Sequence, residues 1–238
     1  MSDTVRINKY IAGAGVCSRR EADRLIDTGK VTINGNVASQ GMGVSAKDVV
    51  CVNGKVIRIK DEKVVLAFYK PIGITCTEKD KFAQKTIMEY IKYPVRVTYA
   101  GRLDKDSEGL ILLTNDGDLI QALMKGSHHH EKEYVVKVDR EITPDFLEKM
   151  AAGVYLSELD RTTKPCHIEQ VGKYTFKIIL TQGLNRQIRR MTKCFGYNVT
   201  SLKRIRIEKI TLDGLKIGQY RELTEREKEN LYETVGLK

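Results

Sequence analysis

Acidic residues at alternate positions in the middle of the chain are the first candidates for chemistry. Positions 101–109 read GRLDKDSEG, and Asp104 stands there between Arg102 and Lys105, just ahead of an apolar stretch. Flanking cations favour the ionised form of a carboxyl group. An ionised carboxylate can act as a nucleophile or as a general base, so Asp104 is a candidate catalytic residue.

Two other interpretations of this segment rank below catalysis. Three acids before a glycine are also typical of calcium loops, but such a loop needs a bidentate Glu at its twelfth position, where this chain has Asn115. A charged connector without chemistry would have the same composition. A metal titration separates the calcium alternative from the other two.

A second candidate segment, 185–195, is an amphipathic helix with a basic face. Ile188, Met191 and Phe195 share one side at helical spacing, and the other side is cationic. From position 186 to 209 there are eight basic residues and one acid, which favours phosphate binding over a merely solvated face. The phosphate-binding candidates in this stretch are Arg186, Arg189, Arg190, Lys193 and Arg204.

Two further clusters carry weaker signals. Basic residues near two short N-terminal helices could hold phosphates, because helix N-termini and arginines both favour anions; they are Arg6, Lys9, Arg19, Arg20 and Arg24. The run His128–His130 could bind a metal, but the sequence offers no second ligand cluster, so a solvated or RNA-contacting loop is preferred. We therefore expect no metal site, and no nucleotide- or dinucleotide-binding motif is present.

Composition and charge limit the class of protein. The 238 residues are 41% hydrophobic and 30% charged, which excludes a largely disordered or collagenous chain, and no apolar run reaches the roughly 20 residues of a membrane span. Five scattered cysteines and the lack of an export leader predict reduced thiols in the cytoplasm. The net charge of +10 favours a polyanionic partner, most simply a nucleic acid.

The elements that position these residues fall into two predicted domains of an α+β protein. Residues 1–62 predict two short helices, the second capped by Ser18, followed by short strands that close on Asn-Gly turns. The charged stretch 58–62 marks the boundary. Residues 63–238 predict apolar strands at 64–69 and 110–114, an alternating strand around Tyr134, and a mixed, largely antiparallel sheet.

Taken together, the motifs resemble a known family. Positions 101–117 (GRLDKDSEGLILLTNDG) are similar to the signature of RNA pseudouridine synthases, in the RsuA branch, whose members modify ribosomal RNA singly at defined uridines. Positions 70–73 (KPIG) resemble the first motif of this branch and 182–191 (QGLNRQIRRM) its third, and the wording is most similar to the F type among its B, E and F types. Positions 6–34 resemble an S-four RNA-binding domain.

The resemblance implies a chemistry and a set of site residues. The family isomerises uridine without cofactor or metal: a catalytic Asp, matching Asp104, acts at the sugar while the uracil–ribose bond breaks and the base re-attaches through carbon 5. Arg189 matches the basic residue that the family pairs with this Asp, and Tyr134 matches the aromatic that stacks on the uracil. Arg102 is expected to assist base flipping or hold a phosphate, and Lys70 to contact RNA.

We therefore expect a monomeric, cytoplasmic uridine isomerase that acts on large-subunit ribosomal RNA. Small-subunit ribosomal RNA or a tRNA is the alternative substrate within the same chemistry. A non-catalytic RNA-binding ribosome-assembly factor is the alternative from another class. The combination of Asp104, Tyr134 and Arg189 favours the enzyme, because binding alone would not require all three.

Overall fold

The computed structural model describes residues 4–59, 62–77, 86–124 and 130–237, and its internal contacts divide the chain into two units. The first unit takes in residues up to 64 together with the short segments 93–98 and 114–117. The second takes in 65–92, 99–113 and 118–238. Two segments of the first unit thus come from beyond position 63, where the sequence pattern places the domain boundary.

The first unit packs two helices with a small antiparallel sheet. The Ser18 hydroxyl accepts a hydrogen bond from the Glu21 amide at 3.3 Å, so the second helix begins where the capping pattern predicts. Asn34 and Asn53 have positive φ angles, as tight Asn-Gly hairpin turns require. The elements are β1 (Val5–Arg6), α1 (Ile7–Gly13), α2 (Arg19–Asp27), β2 (Val31–Ile33), β3 (Asn36–Val37), β4 (Gly43–Val44), β5 (Val50–Val52) and β6 (Lys55–Ile57).

The order of strands in the first unit is β3-β2-β5-β6, with β1 paired to β4 in a separate ribbon. Ile7, Ile11, Ile26 and Val31 form the centre of its core. The apolar residues of both helices therefore face this sheet, and the arginines of α2 remain at the surface.

The second unit is built on one sheet that has nine strands within the described residues. Its main path is β13-β14-β10-β15-β9-β7-β17, with β16 beside β15 and β8 beside β9. Its strands are β7 (Val65–Lys70), β8 (Thr98–Ala100), β9 (Glu108–Thr114), β10 (Lys132–Val138), β13 (His167–Gly172), β14 (Thr175–Leu180), β15 (Val199–Ile207), β16 (Ile210–Thr211) and β17 (Tyr220–Glu222); β11 (Tyr155–Leu156) and β12 (Arg161–Thr162) form a separate hairpin.

The helices of the second unit cover this sheet and connect its strands. They are α3 (Ile87–Tyr90), α4 (Gly117–Met124), α5 (Pro144–Ala151), α6 (Gln187–Cys194) and α7 (Glu225–Thr234). Leu110, Leu112, Leu119 and Leu231 belong to one buried cluster. The pairings of β10 with β14 and β15 are antiparallel and that of β15 with β9 is parallel, which confirms the predicted α+β class with a mixed sheet. Among the described helices, none is long and apolar enough to cross a membrane.

Gly109 allows the strand that follows the acidic segment to lie against β15. Its φ is +118°, and a Cβ built on it would lie 2.2 Å from the Arg204 carbonyl oxygen and 2.6 Å from the Arg204 nitrogen. Glycine is the residue that tolerates both this backbone conformation and this approach. The register pairs Arg204 with Gly109, so the loop before β9 starts at a fixed point of the sheet.

Candidate active site

The loop that carries Asp104 is held by a buried lysine. Lys70, the last residue of β7, is 0% exposed, and its Nζ donates to the carbonyl oxygens of Pro71 (3.0 Å), Asp104 (3.1 Å) and Ser107 (2.8 Å). Burial lowers the pKa of Lys70. This environment does not fit the RNA contact predicted for Lys70, because all three acceptors belong to the protein backbone; the ammonium instead fixes the loop.

Asp104 and Asp106 share one arginine. The Nη1 atom of Arg186 lies 3.3 Å from Asp104 Oδ2, and its two Nη atoms donate to the two oxygens of Asp106 at 3.2 and 3.0 Å. The Arg186 hydrogen bond lowers the pKa of Asp106. The arrangement fixes the direction of both carboxylates, while the side chain of Asp104 stays 32% exposed and can reach a bound molecule.

Arg189 braces the same loop through its backbone. Its Nη2 donates to the Asp106 carbonyl at 3.0 Å and to the Ser107 hydroxyl at 3.3 Å, and Nη1 donates to the Val199 carbonyl at 3.2 Å. The resemblance predicts Arg189 as the partner of Asp104. The structure gives the ion pair with Asp104 to Arg186 instead, which directly precedes α6. Arg189 reaches the loop backbone and lies 3.4 Å from the Asp106 carboxylate.

The acidic loop, β10 and the start of α6 enclose a cleft of about 490 Å³. Asp104, Tyr134 and Arg189 all line it, together with Arg102 and Arg204. Tyr134 lies on β10 and is 9% exposed, so its ring forms part of the wall. The structure therefore brings together the three residues predicted to carry catalysis, which are far apart in the sequence.

Residues that the sequence pattern does not single out also line the cleft. Burial lowers the pKa of Lys132 to about 8, and its Nζ donates to the His130 carbonyl at 3.1 Å. Burial raises the pKa of the Cys76 thiol, whose sulfur lies 3.5 Å from the Leu103 amide. Gln182 lines the cleft with a buried Nε2. In the sequence, Lys132 lies close to Tyr134, and Gln182 lies close to the amphipathic helix with the basic face. These positions are the signals from which Lys132 and Gln182 could have been predicted.

The other residues predicted to bind RNA differ in their environment. Arg102 and Lys193 of the second unit are exposed. In the first unit, Lys9 is half-buried and the other four are exposed, namely Arg6, Arg19, Arg20 and Arg24. Arg190 forms an ion pair with Glu158 and donates to the Asn185 carbonyl at 3.0 Å. Arg204 is 2% exposed, so it lies inside the cleft wall and not on an outer face.

In the two metal sites considered from the sequence, the described side chains already have partners within the protein. Arg186 holds the carboxylates of Asp104 and Asp106, where a calcium loop would direct them to the ion. His130 is buried with Nδ1 2.8 Å from Glu208 Oε1, and His128 and His129 lie outside the described residues. Within those residues, no group of three or more His, Cys, Asp or Glu side chains is arranged to hold a metal ion.

Comparison with known proteins agrees with this geometry. Residues 64–193 match the family model described as RNA pseudouridylate synthase, and residues 5–50 match the S4 domain. The chain is 46% identical over 238 residues to the dual-specificity RNA pseudouridine synthase RluF of Salmonella typhi, covering 99% of this chain and 81% of that protein. It is 38% identical over 234 residues to the ribosomal large subunit pseudouridine synthase B of Bacillus subtilis, covering 95% of each.

The fold is also that of a solved enzyme. A crystal structure of a pseudouridylate synthase superposes with a TM-score of 0.71 at 30% identity, covering 95% of this chain and 99% of that one. The match spans both the S4 domain and the sheet that carries the cleft. The chain therefore belongs to the RNA pseudouridylate synthase family, as an RNA pseudouridine synthase with an S4 domain ahead of its synthase domain.

Proposed function

We propose that Asp104 is the catalytic carboxylate of a synthase that converts uridine to pseudouridine in large-subunit ribosomal RNA. The observation that carries this proposal is the position of Asp104. It is partly exposed at the wall of a cleft, its main-chain carbonyl is bonded by Lys70 and its side chain is directed by Arg186. A carboxylate held in this way can act on a bound sugar without reorganising.

Asp104 acts at the ribose while the bond between C1′ and N1 of uracil breaks. It either attacks the anomeric carbon or takes a proton from the 2′ carbon, and each route requires the ionised carboxylate. The base then turns and bonds to C1′ through C5, while the bond from C1′ to Asp104 breaks or Asp104 returns the proton to the 2′ carbon. Loss of the C5 proton then gives pseudouridine. Arg186 and Arg189 keep the loop in place from α6 through these steps.

Tyr134 stacks on the flipped uracil in this proposal, and the exposed Arg102 holds a flanking phosphate or assists flipping. A uridine within folded RNA must leave its stack before a protein can act on its sugar. Stacking on an aromatic ring offsets part of that unfavourable step. This role is supported by the position of Tyr134 in the lining of the cleft that also contains Asp104.

Large-subunit ribosomal RNA is the proposed substrate because the Bacillus subtilis relative is named for the large ribosomal subunit. The word dual-specificity in the name of the Salmonella relative supports a second RNA substrate, for which a tRNA is the candidate. The S4 domain supplies a separate RNA contact in this proposal, which includes a cytoplasmic protein because the substrate is ribosomal RNA. The rival role as a non-catalytic assembly factor predicts that cleft substitutions leave function intact.

The proposal is tested with Asp104→Asn, which removes the charge at nearly constant shape. The amide can neither bond to C1′ nor accept the proton, so turnover should fall by several orders of magnitude, to the level of about 10⁴-fold or more. The measurement is tritium release from carbon-5-labelled uridine in ribosomal RNA from cells that lack the protein. RNA affinity should be kept, because the lost group is not a phosphate contact.

The matched control is Asp145→Asn. Asp145 is an exposed aspartate in the first turn of α5 that pairs with Lys149 on the same helix, so its loss should leave release unchanged. Asp106 is unsuitable as the control because it holds Arg186 by two hydrogen bonds. Substantial tritium release by the Asp104→Asn protein would contradict the assignment, as would equal losses in both variants.

A further inference from the structure

Arg204 is a buried arginine with an incomplete set of partners. It is 2% exposed; its Nε donates to the Leu110 carbonyl at 2.6 Å, and its Nη1 lies 3.5 Å from the Arg102 carbonyl oxygen. Its Nη2 is also buried and has no hydrogen-bond partner among the described residues. Leaving a buried donor unpaired is energetically unfavourable, because the group has lost its hydrogen bonds to water. An acceptor placed against Nη2 would therefore be strongly stabilised.

The charge of Arg204 is not balanced by an acid. No carboxylate of the described residues lies within 4.0 Å of its guanidinium. Glu208 is bonded to His130, and the Asp104 carboxylate is bonded to Arg186. Lys132 lines the same cleft, and burial together with the charge of Arg204 lowers its pKa, while Glu208 acts in the opposite direction. A negative charge that develops here would be stabilised far more than in water.

The strand register places this cation next to the proposed stacking residue. Tyr134 on β10 lies opposite Arg204 on β15, and opposite residues of an antiparallel pair project from the same face with Cβ atoms about 4.5–5.5 Å apart. Both side chains line the cleft that holds Asp104. Gln182 adds a second buried donor without a partner, its Nε2, to the same cleft. The cleft wall thus offers donors where the edge of a stacked base would lie.

We propose that Arg204 stabilises the uracil anion that forms when the glycosidic bond breaks, by donating from Nη2 to a carbonyl oxygen of the base. This rests on the proposed function. The C1′–N1 bond breaks and its electron pair stays on the base, where the charge spreads over N1, O2 and O4. Asp104 meanwhile either bonds to C1′ or takes the 2′ carbon proton, and the base carries the same charge on both routes. When C5 bonds to C1′, the charge on the base is consumed, and Asp104 either leaves C1′ or returns the proton to the 2′ carbon. Arg204 therefore acts between the breaking of the C1′–N1 bond and the formation of the C1′–C5 bond.

The test compares two leaving groups in Arg204→Gln. Large-subunit ribosomal RNA is transcribed with uridine or with 5-fluorouridine, and single-turnover loss of the N-linked nucleoside is measured by mass spectrometry after nuclease digestion. Removing one donor to a developing anion slows a reaction by about 10²–10³-fold. We expect this loss with uridine and a loss at least tenfold smaller with 5-fluorouridine, because fluorine itself stabilises the departing anion. Equal slowing on both RNAs, or none, would overturn the proposal, since a merely structural role cannot depend on the leaving group.

The control is Arg206→Gln, the same substitution two positions along β15. Arg206 Nε donates to Glu133 at 2.7 Å and lines a separate cavity, so both rates should stay unchanged. Arg204→Lys is the second variant should Arg204→Gln fail to fold; it keeps the charge, loses Nη2 and should show the same leaving-group dependence. Asp104→Asn keeps the two proposals apart. If Asp104→Asn retains activity, the proposed function fails. If Asp104→Asn is inactive on both RNAs but the Arg204 variant is slowed equally on both, only the role of Arg204 is refuted.

Discussion

Lys132 is an ionisable residue of the cleft whose charge is sensitive to pH near neutrality. Burial lowers its pKa from 10.5 to about 8, with a further contribution from the charge of Arg204. Below pH 8 the ammonium is charged in both the folded and the unfolded protein, and its burial destabilises the fold. Between pH 8 and 10.5 the unfolded chain holds a proton that the folded protein has released, so stability rises with pH through this window.

Lys132→Met should therefore change stability in a pH-dependent way. The variant removes the buried charge and keeps much of the side-chain volume, so at pH 7 it should be more stable than the parent, by at most about 3 kcal/mol. The difference should shrink as the pH approaches 10. Urea unfolding at several pH values measures it, with Lys137→Met, an exposed lysine of the same strand, as the control. A stability difference that does not vary with pH would contradict the burial of the Lys132 ammonium.

At the same scale, the sequence indicated which residue types line the cleft more readily than which of them contact each other. Asp104 could be chosen from the sequence because it is a carboxylate flanked by cations ahead of an apolar strand. Its partner could not be chosen in this way, because Arg186 and Arg189 are both basic and lie within one turn of each other. The choice depends on the backbone of Arg186, which has φ +50°, a conformation that costs a non-glycine residue about 1 kcal/mol.

Among the elements, the parallel pair of β9 and β15 connects the acidic loop to the strand that carries Arg204. Leu110 on β9 accepts the Arg204 Nε hydrogen bond, and the Arg204 backbone lies against Gly109. The pair thus holds the acidic loop and the buried cation at a fixed separation. A side chain at position 109 would push the two strands apart.

Gly109→Ala tests this connection. The added Cβ would lie 2.2–2.9 Å from Arg204 backbone atoms, and the alanine would have an unfavourable φ. We therefore expect the unfolding free energy to fall by about 3 kcal/mol or more, together with a loss of activity. The control is Gly214→Ala, with φ +77° and no other atom within 4 Å of the added Cβ, which separates backbone strain from the clash. Similar losses in both variants would show that strain alone, and not strand approach, explains the effect.

The elements that the sequence predicted well are those with strong local signals. The helix after Ser18 and the hairpins at the Asn-Gly pairs appear as predicted, because capping and turn chemistry act within a few residues. The helix predicted from position 185 begins at Gln187, because the left-handed Arg186 precedes it. The parallel contact of β9 with β15 joins residues about a hundred positions apart, and no local pattern reports such a pairing.

At the scale of the whole molecule, the basic residues that give the net charge of +10 differ in how available they are to bind phosphates. In the second unit, several arginines are already neutralised: Arg186 by two aspartates, Arg190 by Glu158 and Arg206 by Glu133. In the first unit, Arg19 and Arg20 are exposed at the start of α2, and no ion pair with another described residue holds them. Composition revealed the excess of charge, but only the ion pairs show which cations remain available for phosphates.

Arg19 and Arg20 of the first unit should therefore contribute to the salt dependence of RNA binding. Each phosphate contact contributes about 0.7–0.9 to the slope of log affinity against log salt, so the double variant Arg19→Gln, Arg20→Gln should reduce the slope by about 1.4–1.8. The control is Arg190→Gln, Arg206→Gln, which removes the same charge from arginines already paired with acids and should change the slope little. The measurement is affinity for large-subunit ribosomal RNA between about 50 and 200 mM salt. Because both variants lower the net charge by two, an equal reduction in slope would show that overall charge, and not the arginines of α2, determines the binding.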